Sequence, residues 1–432
     1  MAGIRPLAAK FVAILQSVGP EYCAAPPRHH SPRYGIVDVV IALLAPGQGA
    51  QTPGMFTPWL ELAGVEQQLA EYGKLVDLDL IRLGTTADAD EIKDTAVTQP
   101  LIVALGVVIA DHLGLRANAG GSVVVAGHSI GELTAAALAG ALAPDVAVAL
   151  AARRGAEMAA ACALVPTGMS AVLGGADADE VAALIEVADL TPANRNGAGQ
   201  IVAAGTRDAL AAFAENPPPG TRVRPLAVAG AFHTHFMGPA EDALRAYAAP
   251  LTAADPLFLL LSNADGTAVP DASEVLPRLV RQVTRPVRWD LCQQTLRDLG
   301  ATAAIELPPA GTLVGLAKRE LPGIDLLAMK SPQDLPKALE MISSRPQHGQ
   351  GEHTPDFHVV VTPVKGIFTR AAIVDEGAEI TPGTLLGTVR TNRDEHQVVA
   401  PSGGILAEWL RHSGDIVAAG LPVARLSNGP EL

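Results

Sequence analysis

The sequence predicts an α/β protein with a parallel-sheet core, a small α+β subdomain and a separate all-β domain at its carboxyl end. Three observations support this. Continuous apolar strands, each followed by a glycine-containing turn and an alanine-rich helix, are typical of a parallel sheet covered on both faces. Residues 168–228 replace that rhythm with shorter elements. Residues 357–432 repeat a pattern of short strands and glycines twice.

Residues 1–35 precede the first regular segment. They carry Arg5 and Lys10, no acid before Glu21, and then a stretch rich in proline, histidine and arginine. Their apolar part is interrupted and shows no clear small-residue cleavage site of the kind a targeting peptide has. We expect a floppy amino-terminal extension or an over-long start, with a targeting peptide as the alternative.

Charge and composition exclude several classes of function. The chain has 432 residues and a net charge of −14, so it lacks the uniform basic surface that nucleic acid requires. Cys23, Cys162 and Cys292 are odd in number and far apart, which predicts neither a disulfide framework nor a metal site and fits a reducing cytoplasm. No apolar run reaches the roughly 18 residues of a membrane span.

The parallel-sheet core is predicted over residues 36–342. Residues 36–55 form a continuous apolar run that ends in a Pro/Gly turn. Residues 99–115 have the length and spacing of a helix, residues 122–129 form a second strand, and residues 131–143 form the helix that leaves it. Strand and strand-turn-helix patterns return in residues 256–266 and 302–321.

Residues 168–228 read as strand, helix, strand, helix and strand in succession. An insert of that size predicts a small ferredoxin-like α+β subdomain that roofs the sheet.

The carboxyl-terminal region begins after a predicted linker at residues 343–356, which is polar and rich in proline, glycine and histidine. The following residues 357–432 contain two similar halves, which align Pro363 with Pro401, Gly366 with Gly404, Gly377 with Gly414, and Gly383 with Gly420. Short alternating strands given twice predict two halves interlocked in a flattened barrel.

The sequence VVVAGHSIGE, residues 123–132, places Ser129 where a strand breaks into a helix. Gly127 and Gly131 flank it and allow a tight, strained turn that exposes the hydroxyl. The helix dipole and the free N–H of Ile130 would stabilise an oxyanion on an attacked carbonyl. The alternative is an ordinary Gly/Ser turn between strand and helix.

A nucleophilic serine needs a base, and His233 in VAGAFHTHFMGPA is the first candidate. His128 and His235 are the rivals: His128 sits beside the serine and is expected to point away from it, and His235 would face opposite to His233 in an extended segment. No acid occupies the position expected for a Ser-Asp-His triad. A Ser/His dyad suffices if a backbone carbonyl orients the imidazole.

Six motifs give a family resemblance. They occur in the order and approximate spacing of the malonyl-CoA:acyl-carrier-protein transacylases and cover residues 40 to about 330. In chain order they are APGQGAQTPGM, GHSIGE, RRGAEM, ANRNGAGQIVAAG, GAFHTHFM and VRQVTRPVRW. The resemblance implies a hydrolase-like parallel-sheet core.

The resemblance also implies catalytic roles. Ser129 is similar to the family's nucleophile and His233 to its base. Gln48 and the amide of Ile130 resemble the oxyanion hole. Gln282 resembles the residue whose backbone carbonyl orients the histidine, a role that hardly constrains its side chain.

Substrate-binding roles follow in the same way. Arg154, in the Arg-Gly-x-x-Met match that ends at Met158, resembles the guanidinium that grips the free carboxylate of a malonyl group. A planar fork pairs bidentately with a carboxylate, and a site built for a charge rejects an acetyl group. Arg153 is the adjacent competitor, and a helix-surface arginine is the alternative.

Three further positions resemble the family's acyl-binding and polar segments. Phe232 resembles the position that fills space beside the acyl Cα, where the Ala-Phe-His pattern favours malonyl over methylmalonyl groups. Asn194 and Asn196, with Gln200, resemble a polar segment near the site. Turn-forming asparagines are the alternative.

The resemblance implies transfer of a malonyl group from malonyl-CoA to the phosphopantetheine thiol of an acyl carrier protein, through a malonyl-serine. The setting is fatty acid or polyketide biosynthesis, and no bound cofactor is expected. A serine esterase or thioesterase with the same dyad is one alternative. A catalytically idle scaffold of a synthase complex is the other.

Residues 357–432 resemble the biotinyl/lipoyl attachment domain. In that family the modified lysine lies in the hairpin between the halves, but this chain has VRTNRDEHQVV there, and its last lysine, Lys365, stands at the wrong place. We therefore expect neither biotin nor lipoate. A docking or dimerising module is the interpretation, with a synthase or carboxylase as the possible partner.

Overall fold

The computed structural model describes residues 40–115, 122–175, 177–343 and 357–427, apart from 372–373, 392–393, 401–402 and 418–419. The extension expected at residues 1–35 lies outside the described residues, as does the linker expected at 343–356 except for its first residue.

The strands of residues 40–343 are β1 (Val40–Ala45), β2 (Ser122–Gly127), β3 (Thr167–Gly174), β4 (Thr191–Gly197), β5 (Gln200–Thr206), β6 (Thr221–Pro225), β7 (Leu259–Leu261), β8 (Val287–Arg288), β9 (Ala301–Glu306) and β10 (Asp325–Ala328). The α-helices are α1 (Val65–Val76), α2 (Leu80–Thr85), α3 (Ala89–Ile92), α4 (Thr95–His112), α5 (Gly131–Leu138), α6 (Pro144–Cys162), α7 (Ala178–Val187), α8 (Arg207–Glu215), α9 (Gly238–Ala248), α10 (Ala272–Arg281), α11 (Trp289–Asp298), α12 (Thr312–Glu320) and α13 (Leu335–Ser343). Short 3-10 turns occupy Thr57–Glu61, His235–Met237, Gln282–Thr284 and Pro332–Asp334.

The central sheet has the order β10-β9-β1-β2-β7, and all its neighbouring strands are parallel. Every residue of β1 is buried, because helices cover both faces of such a sheet. The prediction of a parallel α/β core is confirmed. Since β1 and β2 end at the same edge, the turns that follow them meet: the N–H of His128 donates to the carbonyl of Ala45 at 3.0 Å.

Helix α4 is the central helix of the core. It is long and apolar enough to cross a membrane by length and composition, but 78% of that stretch is buried inside the fold. Helix α6 lies tightly against its amino end, since a Cβ on Gly155 would lie 2.5 Å from the carbonyl oxygen of Thr95. This close approach sets Arg154 of α6 beside Gln99 of α4.

The α+β insert has one strand more than the sequence predicted. Strands β6, β3, β5 and β4 form an antiparallel sheet in that order, with α7 and α8 as the intervening helices, which is ferredoxin-like topology. Strand β8 joins β4 in parallel. The missed strand, β4, has the sequence TPANRNG and two register irregularities, so it lacks the apolar alternation by which a strand is found.

The strands of the carboxyl-terminal domain are β11 (Phe357–Val361), β12 (Gly366–Arg370), β13 (Glu379–Ile380), β14 (Leu385–Arg390), β15 (Glu395–Val399), β16 (Gly404–Trp409), β17 (Ile416–Val417) and β18 (Pro422–Ser427). They form two four-stranded sheets, β11-β18-β16-β13 and β15-β14-β12-β17. The first strand of each half pairs with the last strand of the other half, as β11 does with β18 and β15 with β14.

The repeated glycines of this domain have a conformational reason. Gly377 and Gly414 both have positive φ, at +89° and +101°, and so do Gly383 and Gly420, at +86° and +76°. Side chains are disfavoured in that region. The sequence repeat therefore records equivalent turns in the two halves.

The carboxyl-terminal domain contacts the central sheet. Val361 packs against the apolar cluster on the face of the central sheet that includes Val40 and Val124. A Cβ on Gly420 would lie 2.5 Å from Leu259 Cδ2. Leu259 begins the edge strand β7 and pairs with Val124 in the middle of β2. The domain therefore contacts the sheet at its edge strand.

Gly383 and Gly420 occupy equivalent turns in the two halves, but only Gly420 contacts Leu259. Substituting each in turn therefore separates the energy of this contact from the energy of the turn. Gly383→Ala meets no atom within 4 Å and should lower the free energy of unfolding by about 1–2 kcal/mol through backbone strain alone. Gly420→Ala adds a clash with the terminal methyl of Leu259, which must move off its rotamer, and should lose about 1 kcal/mol more. Urea unfolding of both variants checks this, and equal losses would contradict the contact.

Candidate active site

Ser129 occupies the tight turn between β2 and α5. Its φ is +53°, in the left-handed region that a residue with a side chain adopts only when its surroundings enforce it. A Cβ on Gly127 would overlap the backbone of Gly131, and one on Gly131 would overlap that of Ala45. Both glycines are therefore required for the turn, and the elbow predicted from the sequence is present.

His233 is in contact with the serine. Its Nε2 lies 2.8 Å from Ser129 Oγ, and its Nδ1 lies 2.8 Å from the backbone carbonyl of Gln282. The carbonyl accepts only, so Nδ1 carries the proton and Nε2 is left to accept one from the serine hydroxyl. A Ser/His dyad oriented by a carbonyl is the arrangement that the sequence predicted.

The two rival histidines have other places. His128 Nε2 lies 2.8 Å from Asn196 Oδ1, and the ring packs edge-on against Trp289 at 5.6 Å between centroids. His235 is exposed in a 3-10 turn and stacks on Phe236. Neither forms a hydrogen bond with Ser129 within the described part of the chain.

Burial sets the protonation state of the base. His233 is 2% exposed, and desolvation, reinforced by the positive charge of Arg154, lowers its pKa from 6.5 to about 3. The hydrogen bond to the Gln282 carbonyl opposes this shift. The imidazole is therefore neutral near pH 7 and available as a base.

Arg154 reaches the same point from α6. Its Nη2 lies 2.9 Å from Gln282 Oε1 and 3.4 Å from Ser129 Oγ, and its Nη1 donates to Gln99 Oε1 at 2.7 Å. The side chain is 3% exposed and forms no ion pair with any described residue. Burial lowers its pKa to about 10, and the charge of Glu132 opposes that shift, so the guanidinium stays charged at neutral pH.

The adjacent Arg153 points elsewhere. It pairs with Glu157 at 2.8 Å and lies over the ring of Tyr247. Of the two neighbouring arginines, Arg154 is therefore the one that lies beside Ser129. Met158, one turn further along α6, accepts a hydrogen bond from Gln99 Nε2 at its sulfur at 3.5 Å.

Two donors border the serine. Gln48, in the turn after β1, donates from Nε2 to Thr95 Oγ1 at 3.1 Å and shares a cavity wall with Ser129. The N–H of Ile130 has no acceptor among the described residues. It stands at the start of α5, where free N–H groups and the helix dipole favour negative charge.

A cavity of about 780 Å³ opens over the serine between the core and the subdomain. Its walls include Gln48, Ser129, Arg154, Met158, Phe232 and His233. Asn194 and Asn196 of β4 line it from the subdomain side, so they are strand residues and the turn alternative is wrong. Lys318 and Arg319 of α12 also line it, and both are exposed.

Asn194 contains a buried polar atom without a partner. The residue is 8% exposed, and its Oδ1 has no hydrogen bond to the described protein. A buried acceptor in that state is costly unless a ligand or water donates to it. Asn196 is satisfied by His128 and donates to Gln200 Oε1 at 3.2 Å.

The expectation for Gln282 is corrected. Its carbonyl does orient His233, but its side chain is 6% exposed and links Arg154 to the carboxylate of Glu132. Sequence reasoning also missed Gln99, Glu132 and Asn263. The available signals were weak: Glu132 is the last residue of the GHSIGE motif, Asn263 follows an apolar strand, and Gln99 has no distinguishing pattern.

The described residues contain no group of three or more His, Cys, Asp or Glu side chains placed to hold a metal ion.

Comparison with known proteins identifies the family. The acyl transferase domain model matches residues 43–325. A curated malonyl CoA-acyl carrier protein transacylase of Mycobacterium tuberculosis is 60% identical over 297 residues, 68% of this chain and 98% of that protein. The chain belongs to this transacylase family. Its carboxyl-terminal domain falls outside the residues matched by the domain model.

Solved structures of the transacylase family share the fold. The crystal structure of MCAT from Mycobacterium tuberculosis has a TM-score of 0.67 and 59% identity, covering 69% of this chain and 99% of that one. A malonyl-transacylase solved in complex with its type II PKS acyl-carrier protein has a TM-score of 0.65 and 30% identity, covering 70% of this chain and 99% of that one.

The buried base predicts a pH dependence of stability. The pKa of His233 is lower in the folded protein than in the unfolded chain, so its contribution is complete above pH 6.5 and is lost as the pH falls toward 3. In His233→Asn, the free energy of unfolding should fall by about 1–2 kcal/mol less between pH 6.5 and 5 than in the parent. Urea unfolding across that range measures it. His235→Asn, at an exposed position, should keep the parent's fall, and identical curves for all three proteins would refute the prediction.

Proposed function

We propose that the protein transfers a malonyl group from malonyl-CoA to the phosphopantetheine thiol of an acyl carrier protein, in the cytoplasm, during fatty acid or polyketide biosynthesis. The observation that supports this best is Arg154, a buried cation 3.4 Å from Ser129 Oγ without an ion pair in the described chain. Its neighbours Gln99 and Gln282 are neutral. An acyl group with a free carboxylate supplies the missing anion.

The first half-reaction follows from the dyad. His233 Nε2 takes the hydroxyl proton as Ser129 Oγ attacks the thioester carbonyl, and the N–H of Ile130 and Gln48 stabilise the oxyanion. Collapse breaks the carbon–sulfur bond, and the coenzyme A thiolate takes the proton from His233. The carrier's thiol then attacks the malonyl ester by the same steps in reverse, with His233 as its base. No cofactor enters either step.

The cavity walls suit the rest of the substrate. Asn194 Oδ1 offers a buried acceptor to an amide N–H of the pantetheine arm, and Asn196 is held beside it. Phe232 and Met158 limit the space around the acyl group, which favours malonyl over larger groups. These assignments rest on lining position and burial.

Lys318 and Arg319 suit the partner's charge. They are exposed at the cavity and make no ion pair within the described ranges, in a chain whose net charge is −14. Coenzyme A and a phosphopantetheine-bearing carrier protein both present phosphates there. A relative was solved in complex with its type II PKS acyl-carrier protein, which supports a carrier protein as the partner.

We assign the carboxyl-terminal domain a docking role. Its two interlocked halves resemble a biotinyl/lipoyl domain, but the turn between β14 and β15 has no lysine. Neither biotin nor lipoate is expected on it. A synthase or carboxylase subunit is the partner we propose.

Labelling tests the proposed reaction. Protein incubated with radiolabelled malonyl-CoA should carry an acid-stable ester, which Ser129→Ala abolishes, and a holo acyl carrier protein should remove the label onto its thiol. Arg154→Ala should lower kcat/KM for malonyl-CoA about a hundredfold or more, because a buried charged hydrogen bond is lost, and should affect acetyl-CoA far less.

The adjacent arginine provides the matched control. Arg153→Ala should leave malonyl transfer near the parent's rate, since Arg153 pairs with Glu157 away from the serine. Label released mainly to water would indicate an esterase or thioesterase. Absence of label in the parent would indicate an idle scaffold.

The basic pair predicts a salt-dependent effect on carrier binding. Lys318→Glu should raise KM for the acyl carrier protein about tenfold at low ionic strength, and the effect should shrink in high salt as charges are screened. Lys74→Glu makes the same change at an exposed site outside the cavity and should have little effect. Equal effects of both variants would exclude docking through Lys318.

A further inference from the structure

Asn263 spans the strained turn that contains the nucleophile. It lies two residues beyond β7 and is 0% exposed. Its Oδ1 accepts the backbone N–H of Ser129 at 2.8 Å, and its Nδ2 donates to the carbonyl of Gly127 at 2.8 Å. The Asn263 carboxamide thus bridges the backbone of Gly127 and Ser129, which lie on either side of His128 in the turn.

We propose that Asn263, held in place by Glu132, is a positioning residue for the nucleophile Ser129. The inference rests on the proposed function and deepens it. Asn263 touches no reacting atom, so it acts by fixing the backbone from which the hydroxyl projects.

The hydrogen-bond geometry fits a carboxamide and few other groups. The elbow presents a donor, the Ser129 N–H, and an acceptor, the Gly127 carbonyl, on one side of Asn263. Only an amide side chain offers an acceptor and a donor side by side in a neutral group of that size. A carboxylate would set an oxygen against the Gly127 carbonyl, and an aliphatic side chain would leave both backbone groups unpaired.

Glu132 holds Asn263 in place, and we call the two bonds from Asn263 to the turn the clamp. Its Oε1 accepts the backbone N–H of Asn263, and its Oε2 accepts from Gln282 Nε2. Gln282 Nε2 lies 3.0 Å from the carbonyl of Ser129. The peptide groups on both sides of Ser129 are therefore held by buried side chains tied to one carboxylate. The backbone N–H of Arg288 donates to the Asn263 carbonyl at 2.8 Å, so both backbone groups of Asn263 are also hydrogen-bonded.

This clamp counters a real tendency to relax. A non-glycine residue at positive φ, such as Ser129 at +53°, is strained and is retained only where its surroundings enforce it. Relaxation of Ser129 would move its hydroxyl away from His233 Nε2, now 2.8 Å distant. A shift of about 1 Å in a reacting group lowers a rate roughly a hundredfold.

The test measures the rate at which Ser129 is acylated, divided by the fraction of protein molecules that carry a competent site. Asn263→Ala and the isosteric Asn263→Asp are acylated in single-turnover experiments with malonyl-CoA and acetyl-CoA, and rates are normalised to the burst amplitude. Both variants should lose about ten- to a hundredfold in acylation rate with both donors, so the malonyl-to-acetyl ratio stays at the parent's value. Reaction with a small fluorophosphonate, which does not need Arg154, should slow equally.

Thr295→Val is the matched control. Thr295 Oγ1 donates to the carbonyl of Gly266 at 2.8 Å, so this isosteric change removes a hydrogen bond from the same loop without touching the elbow. It should lower stability slightly and leave the normalised rate unchanged.

The outcomes separate the inference from the function. Parent-like normalised rates in both Asn263 variants would overturn the positioning role, as would an equal loss in Thr295→Val. A change in the malonyl-to-acetyl ratio would also overturn it, because that ratio reports on the carboxylate site. Failure of the parent itself to form the malonyl ester would refute the proposed function instead.

Discussion

The left-handed backbone of Ser129 is the constraint on which the rest of the site depends. It exists because β1 and β2 run in parallel and end together, so that the turns after Ala45 and Gly127 pack within backbone contact. Only glycine at positions 127 and 131 permits that approach. Once the elbow forms, the serine hydroxyl lies beside the start of α5 and next to Ile130, whose N–H has no acceptor among the described residues. The cavity of the proposed enzyme is built around that point.

Electrostatics in this cavity follow from burial. A charged Arg154 and a neutral His233 lie on either side of one hydroxyl, with the pKa of each lowered by desolvation. Lowering a pKa removes charge from the histidine near pH 7 but not from the arginine, whose pKa starts much higher. The same burial therefore yields a base and a cation side by side. A substrate carboxylate is the complement that this pair lacks.

The carboxyl-terminal domain contacts the central sheet at its edge strand β7. Gly420 lies against Leu259 at the amino end of β7, whereas Ser129 follows the carboxyl end of β2. No described residue of the domain lines the cavity.

The sequence by itself determined the parallel core, the elbow and most of the site's residue types, because these depend on local patterns: apolar runs, paired glycines and short motifs. It favoured Arg154 over Arg153 through the family resemblance alone, because the two arginines adjoin on one helix and differ only in the face they present. Strand β4 also escaped it, since its polar side chains line a cavity and break the apolar alternation. The clamp on the elbow was invisible, because Ser129 and Asn263 are 134 residues apart. Which donor meets which acceptor across such a distance is decided by packing, and only the tertiary structure fixes that.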